Sequence, residues 1–217
     1  MKNDRDLQRD VLDELRWEPA VQSSEIGVIV KGGVVTLEGV VDSYPQKWAA
    51  ERAAKRVSGV KALALDLEVK PPGSANQTDA DIAEAAESAL KWDVLVPQDR
   101  IKVTVEKGFL TLEGEVDWQF QRSAAERAVV NLTGVKGVSN QITVKPSVAP
   151  TDVKARIEAA FNRSAILDAE DINVQVDGGK VTLSGSVSSW AERDEAESAA
   201  WAAPGVTEVK DLIAVTY

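Results

Sequence analysis

The side chains of this chain that can do chemistry are almost all carboxylates: 35 aspartates and glutamates stand beside 25 lysines and arginines, with no histidine and no cysteine. That inventory removes thiol nucleophiles, disulfides, Ser-His-Asp catalysis and zinc sites built from the usual ligands. Carboxylates leave two chemistries open, acid–base work by a close pair and capture of a hard cation by several oxygens. The densest acidic stretch is Asp168, Glu170 and Asp171, with Asn173 and Asp177 close by. It lacks the spacing of a calcium loop and falls at a strand entrance, where successive side chains point to opposite faces. These three are the candidate metal ligands, set against the plain reading of a solvated acidic entrance. No pair of carboxylates is assigned a catalytic role, and no cofactor is expected.

Any such residue is positioned by a frame that the chain writes three times. Val35-Thr36-Leu37-Glu38-Gly39 returns as Leu110-Thr111-Leu112-Glu113-Gly114 and as Val181-Thr182-Leu183-Ser184-Gly185. A second glycine follows each motif glycine by 20 residues, at Gly59, Gly134 and Gly205. Each copy opens with an apolar helical stripe: Leu7, Val11, Leu15; Ile82, Ala86, Leu90; Val153, Ile157, Phe161. Alternating residues, a glycine turn and the motif then spell a β-hairpin. A second helix with an alanine-rich stripe follows, ends at the second glycine, and leads into a last strand. The motif glycine faces the core, so another backbone must approach there, and the second helix is the expected neighbour. Thr78, Thr151, Ser43 and Ser189 are expected helix caps, with Asp117 in that role where the middle copy replaces serine by Trp118. The reading is an α+β chain of three tandem α-β-β-α-β units, each a three-stranded sheet packed by two helices, at residues 1–70, 78–145 and 150–217. Units this small are marginal alone, so packing between units or between molecules is expected.

Order, spacing and the phrase Gly134-Val135-Lys136-Gly137-Val138-Ser139-Asn140 resemble the BON domain, the bacterial osmotic-stress and nodulation module. The resemblance covers nearly the whole chain as three copies. It implies a non-enzymatic, stress-linked binding role, in a family associated with phospholipid surfaces, with assistance to outer-membrane proteins and, in a cytoplasmic member, with potassium sensing. Leu65 departs from the pattern, standing where the other copies carry Asn140 and Asp211.

Charge narrows the partners. The net charge is −10, but residues 1–70 hold 11 basic against 12 acidic side chains, while 147–217 hold 6 against 12. Nucleic acid is disfavoured by this balance, and an anionic partner must meet the first unit. There Trp48 lies almost opposite the alanine stripe of the second helix, flanked by Arg52, Lys55 and Arg56. That face can rest on an anionic lipid surface or on a protein partner. It can equally pair with the acidic third-unit helix, which carries Trp201 on its outer side. Trp17 and Trp92 share one repeat position at the end of the first helix, where the third copy has Arg163. They either cover the helix end or mark a second partner surface.

No run in the chain spells a transmembrane segment. The protein is expected in the cytoplasm if Met1 is the native start, and in the periplasm if a signal peptide was removed. The functional reading is a non-catalytic binding or scaffolding protein of three such domains. The alternative is a small-ligand or cation sensor for potassium or calcium.

Overall fold

The computed structural model describes residues 3–71, 77–145, 152–167 and 171–216. Thr151, Asp168, Glu170 and most of the two Pro-containing connectors lie outside the described residues. The three-fold frame is present. Helices α1 (Asp4–Trp17), α3 (Asp79–Trp92) and α5 (Val153–Phe161) open the repeats. Hairpins follow as β1 (Ile26–Lys31) with β2 (Val34–Val41), β4 (Ile101–Glu106) with β5 (Phe109–Val116), and β7 (Ile172–Asp177) with β8 (Lys180–Val187). Helices α2 (Tyr44–Arg56), α4 (Gln119–Val130) and α6 (Trp190–Trp201) lead to the last strands β3 (Ala62–Val69), β6 (Gly137–Val144) and β9 (Glu208–Val215). The sheets run β1-β2-β3, β4-β5-β6 and β7-β8-β9, so the motif strand is central each time.

The backbone gathers into two compact units. The first holds the chain up to Asp93 together with Val103–Leu112 and Glu126–Asn140; the second holds Val94–Lys102, Glu113–Ala125 and the chain from Gln141 onward.

In the first unit β1 and β2 pair antiparallel, Ile26 facing Gly39 and Lys31 facing Val34. β3 then joins β2 in parallel, Leu37 opposite Leu65 and Val41 opposite Val69. Parallel neighbours cannot be joined by a tight turn, and α2 is the crossover that the geometry requires. Its stripe Ala50, Ala53 and Ala54 is fully buried, with Ala49 beside it, against Leu7, Val11, Leu15, Val35 and Leu37. Alanine there removes the bulk that would hold the helix off the sheet, while the longer aliphatic residues of α1 and β2 fill the layer. Glu51 and Arg52 face away from this layer, so the charged surface of α2 follows from the same helical period that buries its alanines. In the second unit the same register recurs, Leu183 facing Asp211 and Val187 facing Val215 in parallel. Its core joins Ile157, Phe161, Val181, Leu183, Ala196 and Ala200.

Three expectations need correction. The motif glycines do face a backbone, but it belongs to the residue that leads into the first strand of the hairpin and not to the helix. A Cβ on Gly39 would lie 2.0 Å from the Glu25 carbonyl oxygen, on Gly114 2.1 Å from that of Arg100, and on Gly185 1.9 Å from that of Asp171. Their φ values of 130°, 145° and 124° also belong to glycine. The second glycines do not end the helices, which stop at Arg56, Val130 and Trp201; Gly59, Gly134 and Gly205 turn the chain just beyond, each with positive φ.

The middle cap is the third correction. Helix α4 starts at Gln119, so Trp118 occupies the flanking position, and the Gln121 side chain accepts from the amides of both Asp117 and Trp118 at 3.1 Å. Asp117 instead accepts from Arg100 at 3.0 Å. Ser43, Thr78 and Ser189 act as expected, each accepting the amide three residues on.

Candidate functional surface

Helix α2 places the first-repeat residues. Trp48 is half-buried, and the Arg52 guanidinium lies 5.8 Å from its ring centroid, an aromatic–cation pair at the protein surface. Lys55 bridges Glu51 one turn earlier at 2.8 Å. Arg56 reaches across to α1 and binds Glu14 through Nε and Glu18 through Nη2, both at 2.9 Å. The hydrogen bond from Arg56 holds the Glu18 carboxyl below the ordinary carboxylate range, and the same bonds raise Arg56 further. The four residues therefore share one helix, but two of the cations are bound by carboxylates. Sequence reasoning missed Glu14 and Glu18, whose only signal was an acidic pair four apart at the C-terminal end of α1, with Glu18 just past its last residue.

An open groove of about 540 Å³ lies beside this cluster, lined by Glu14, Trp17, Glu18, Pro19 and Arg56. Trp17 is 82% exposed and Trp92 85% exposed, so neither covers its helix end. The reason is local: Val21 and Val96, a few residues on, fill the core position beneath the loop and leave the indoles outside.

In the third repeat Trp201 is not an outward residue. It is partly buried against the repeat's own core, and its indole N–H donates to Glu197 at 3.4 Å. A second aromatic–cation pair appears at the other end of α6, with Arg193 5.0 Å from the Trp190 ring. Arg193 also binds Asp211 at 2.6 Å, and Asp211 accepts the Ile213 amide at 2.8 Å. This explains the repeat position where Leu65 departs: Asn140 donates to Glu126 at 3.0 Å, Asp211 binds Arg193, and Leu65 packs on the first core.

Asp171 is exposed, and Asp168 and Glu170 lie outside the described residues. Among the described residues no group of three or more acidic side chains converges to hold a metal ion. No helix among them is long and apolar enough to cross a membrane.

A helix, a hairpin, a crossover helix and a last strand, written three times around a central motif strand, define the class. The chain belongs to the BON-domain family, whose model matches residues 3–71, 78–146 and 151–217. Osmotically-inducible protein Y of Escherichia coli (strain K12) is 35% identical over 129 residues, 58% of this chain and 64% of that protein. The matched region thus spans less than two thirds of that relative's length. Among solved structures, the C-terminal domain of CdsD, the structural protein of the type III secretion system of Chlamydia trachomatis, aligns over 100% of both chains at 13% identity and a TM-score of 0.27. The PrgH periplasmic domain aligns over 95% of this chain and 100% of its own at 13% identity and a TM-score of 0.22. At such scores neither likeness carries an argument.

Proposed function

We propose that this protein is a non-enzymatic, stress-associated binding module that engages an anionic phospholipid surface through α2 of its first repeat. Membership of the BON family and the similarity to a protein named for osmotic induction support the stress-associated, non-catalytic part. One observation carries the surface: Trp48 and Arg52 stand together on the outer face of α2, an indole and a cation in contact at 5.8 Å. An indole seats well at the boundary between headgroups and acyl chains, and a cation beside it meets the phosphates. Glu51, Glu14 and Glu18 bind Lys55 and Arg56, so the net attraction is modest and fades with salt.

Sedimentation with liposomes tests this reading. The intact protein should bind phosphatidylglycerol-containing vesicles at low ionic strength and ignore purely zwitterionic ones. Trp48→Ala combined with Arg52→Glu should abolish the binding. Equal binding by that variant, or no binding by the intact protein at low salt, sinks the proposal.

A further inference from the structure

The sheet of the first repeat has an outer face, turned away from α1 and α2, that differs in kind from its third-repeat counterpart. Strand alternation puts Ile29, Val34, Thr36, Ala62 and Ala64 on it. Ile29 is 50% exposed and Val34 43%. The third repeat has Gln175, Lys180, Thr182, Glu208 and Lys210 at the same positions. The frame therefore does not require apolar residues there, and a contiguous group of them marks a contact surface.

The strand registers fix how that group is laid out. Ile29, Thr36 and Ala64 form one row across the three strands, with Lys31, Val34 and Ala62 in the row on its turn side. Gly27, Glu38 and Asp66 form the row on the other side. Glu38 leans over Gly27, since a Cβ built on that glycine would lie 3.0 Å from the Glu38 Cγ. Its side chain thus covers β1, the strand that carries Lys31. The charges around the group sort by end. At the turn end stand Lys31 and Lys61, the stem of Lys61 laid across Gly33, and Asp4, whose carboxylate is held by the Gly32 and Gly33 amides. At the far end stand Glu25, Glu38, Asp42, Asp66 and Glu68, with Lys70 paired to Glu68 at 2.9 Å. One end is basic, the other is acidic, and the middle is uncharged.

Such a face is complementary to itself. A two-fold rotation about an axis in the contact plane, crossing the strands at the row of Ile29, Thr36 and Ala64, sets a second copy against the first with its ends exchanged. Lys31 of each copy then meets Glu38 of the other above Gly27, and the two Ile29 side chains meet at the axis. The outer face of the third repeat carries Lys180, Glu208 and Lys210 where an apolar surface is needed to meet Ile29, and is the poorer match. We infer that the outer sheet face of the first repeat joins two copies of this chain in a closed, two-fold dimer. Three strands about 4.8 Å apart make a narrow contact, short of the roughly 800 Å² per partner of a standard interface, so the dimer is weak and dissociates on dilution. Trp48 and Arg52 belong to the helix on the opposite side of the sheet and take no part in it.

Sedimentation equilibrium of the full chain, up to about 0.5 mM, gives the test. The wild type should pass from monomer to dimer, stop there, and associate less as salt is added. Ile29→Asp, Lys31→Glu and Glu38→Lys should each raise the dissociation constant at least about tenfold, because the symmetry enters every change twice. Lys31→Glu and Glu38→Lys in one chain should restore association, and so should an equimolar mixture of the two single variants. All three positions are exposed, and matching thermal melts will show that the fold is kept. A wild type that stays monomeric throughout leaves the face to the rest of the chain or to another partner and overturns the inference. So do association that ignores the three substitutions, growth beyond a dimer, and a charge exchange that fails to restore the contact.

Discussion

Asp79, the first residue of α3, holds the hairpin turn of its repeat by accepting the Gly108 amide at 2.9 Å, and its other carboxylate oxygen accepts the Lys107 amide at 2.8 Å. Asp4 does the same in the first repeat, accepting from Gly32 at 2.8 Å and Gly33 at 3.2 Å. One carboxylate thus ties the start of a helix to a turn distant in sequence. The equivalent position of the third repeat is Pro150, which offers no acceptor side chain. Asp79→Ala should destabilise by about 1–2 kcal/mol, the cost of leaving two turn amides without their charged partner. Denaturant titration measures it, and hydrogen exchange should show the Gly108 amide losing protection first.

Substitution of the motif glycine should be far more damaging than the loss of an equally small residue elsewhere. Gly114→Ala places a Cβ on the Arg100 carbonyl and forces an L residue to a φ of 145°. We expect a loss of about 2–4 kcal/mol, readable as a shift in the urea midpoint. Gly178→Ala is the control, since nothing lies within 4 Å of its added Cβ and only the φ of 57° opposes it.

The ion pair between Glu18 and Arg56 sets an acid limb. Because Arg56 holds the folded-state carboxyl below its ordinary 4.5, the stabilisation is present above that value and is lost as pH falls through the folded one. Arg56→Gln should therefore lower the melting midpoint at neutral pH. The difference from wild type should close in acid strong enough to protonate Glu18. A constant gap down to pH 2 would contradict this assignment.

Tyr44 sets an alkaline limb of the opposite sense. Burial raises the phenol above its ordinary 10.0, so the folded state keeps the proton and stability is lost as pH rises through that value. Tyr44→Phe should remove this part of the alkaline decline. Paired thermal melts from pH 8 to 11 will compare the two.

In the third repeat, Asp211→Asn leaves Arg193 facing a neutral amide. The pair is well shielded, with side-chain exposures of 26% and 13%. A loss of about 1–3 kcal/mol is expected, below the range for fully buried pairs because solvent still reaches the arginine. Asp211→Leu, which copies the first repeat, should cost at least as much, since Arg193 then has no acceptor there.

How much of this was legible depended on distance along the chain. The apolar spacing of α1, α3 and α5 named the buried residues, and the capping serines and threonine declared themselves within four positions. Gly39 announced a close approach but not its partner, because which backbone lies beside it is decided by strand pairing. Parallel pairing of β2 with β3 is invisible in either strand alone. The candidate surface was half legible: Trp48 and Arg52 share one helical face, whereas Arg56 and Glu14 are separated by 42 positions and no local pattern links them. Trp17 and Trp92 were recognised as equivalents, yet their exposure depended on Val21 and Val96 taking the core position first.

The varied position opposite the motif leucine also bears on how such a chain avoids confusing its own parts. Motif strands as alike as Val35–Gly39 and Val181–Gly185 invite a neighbour's last strand to pair in place of the correct one, the characteristic misassembly of tandem repeats. Leu65, Asn140 and Asp211 give each last strand a different demand: an apolar surface, the Glu126 carboxylate, the Arg193 guanidinium. A strand exchanged between siblings keeps its backbone ladder but strands Arg193, or sets Asp211 against the first repeat's leucine-lined core. The last strands ALALDLEV, GVSNQITV and EVKDLIAV differ at nearly every position, and at this one the side chain finds its partner inside its own repeat, so a strand lent to a sibling would leave that partner behind.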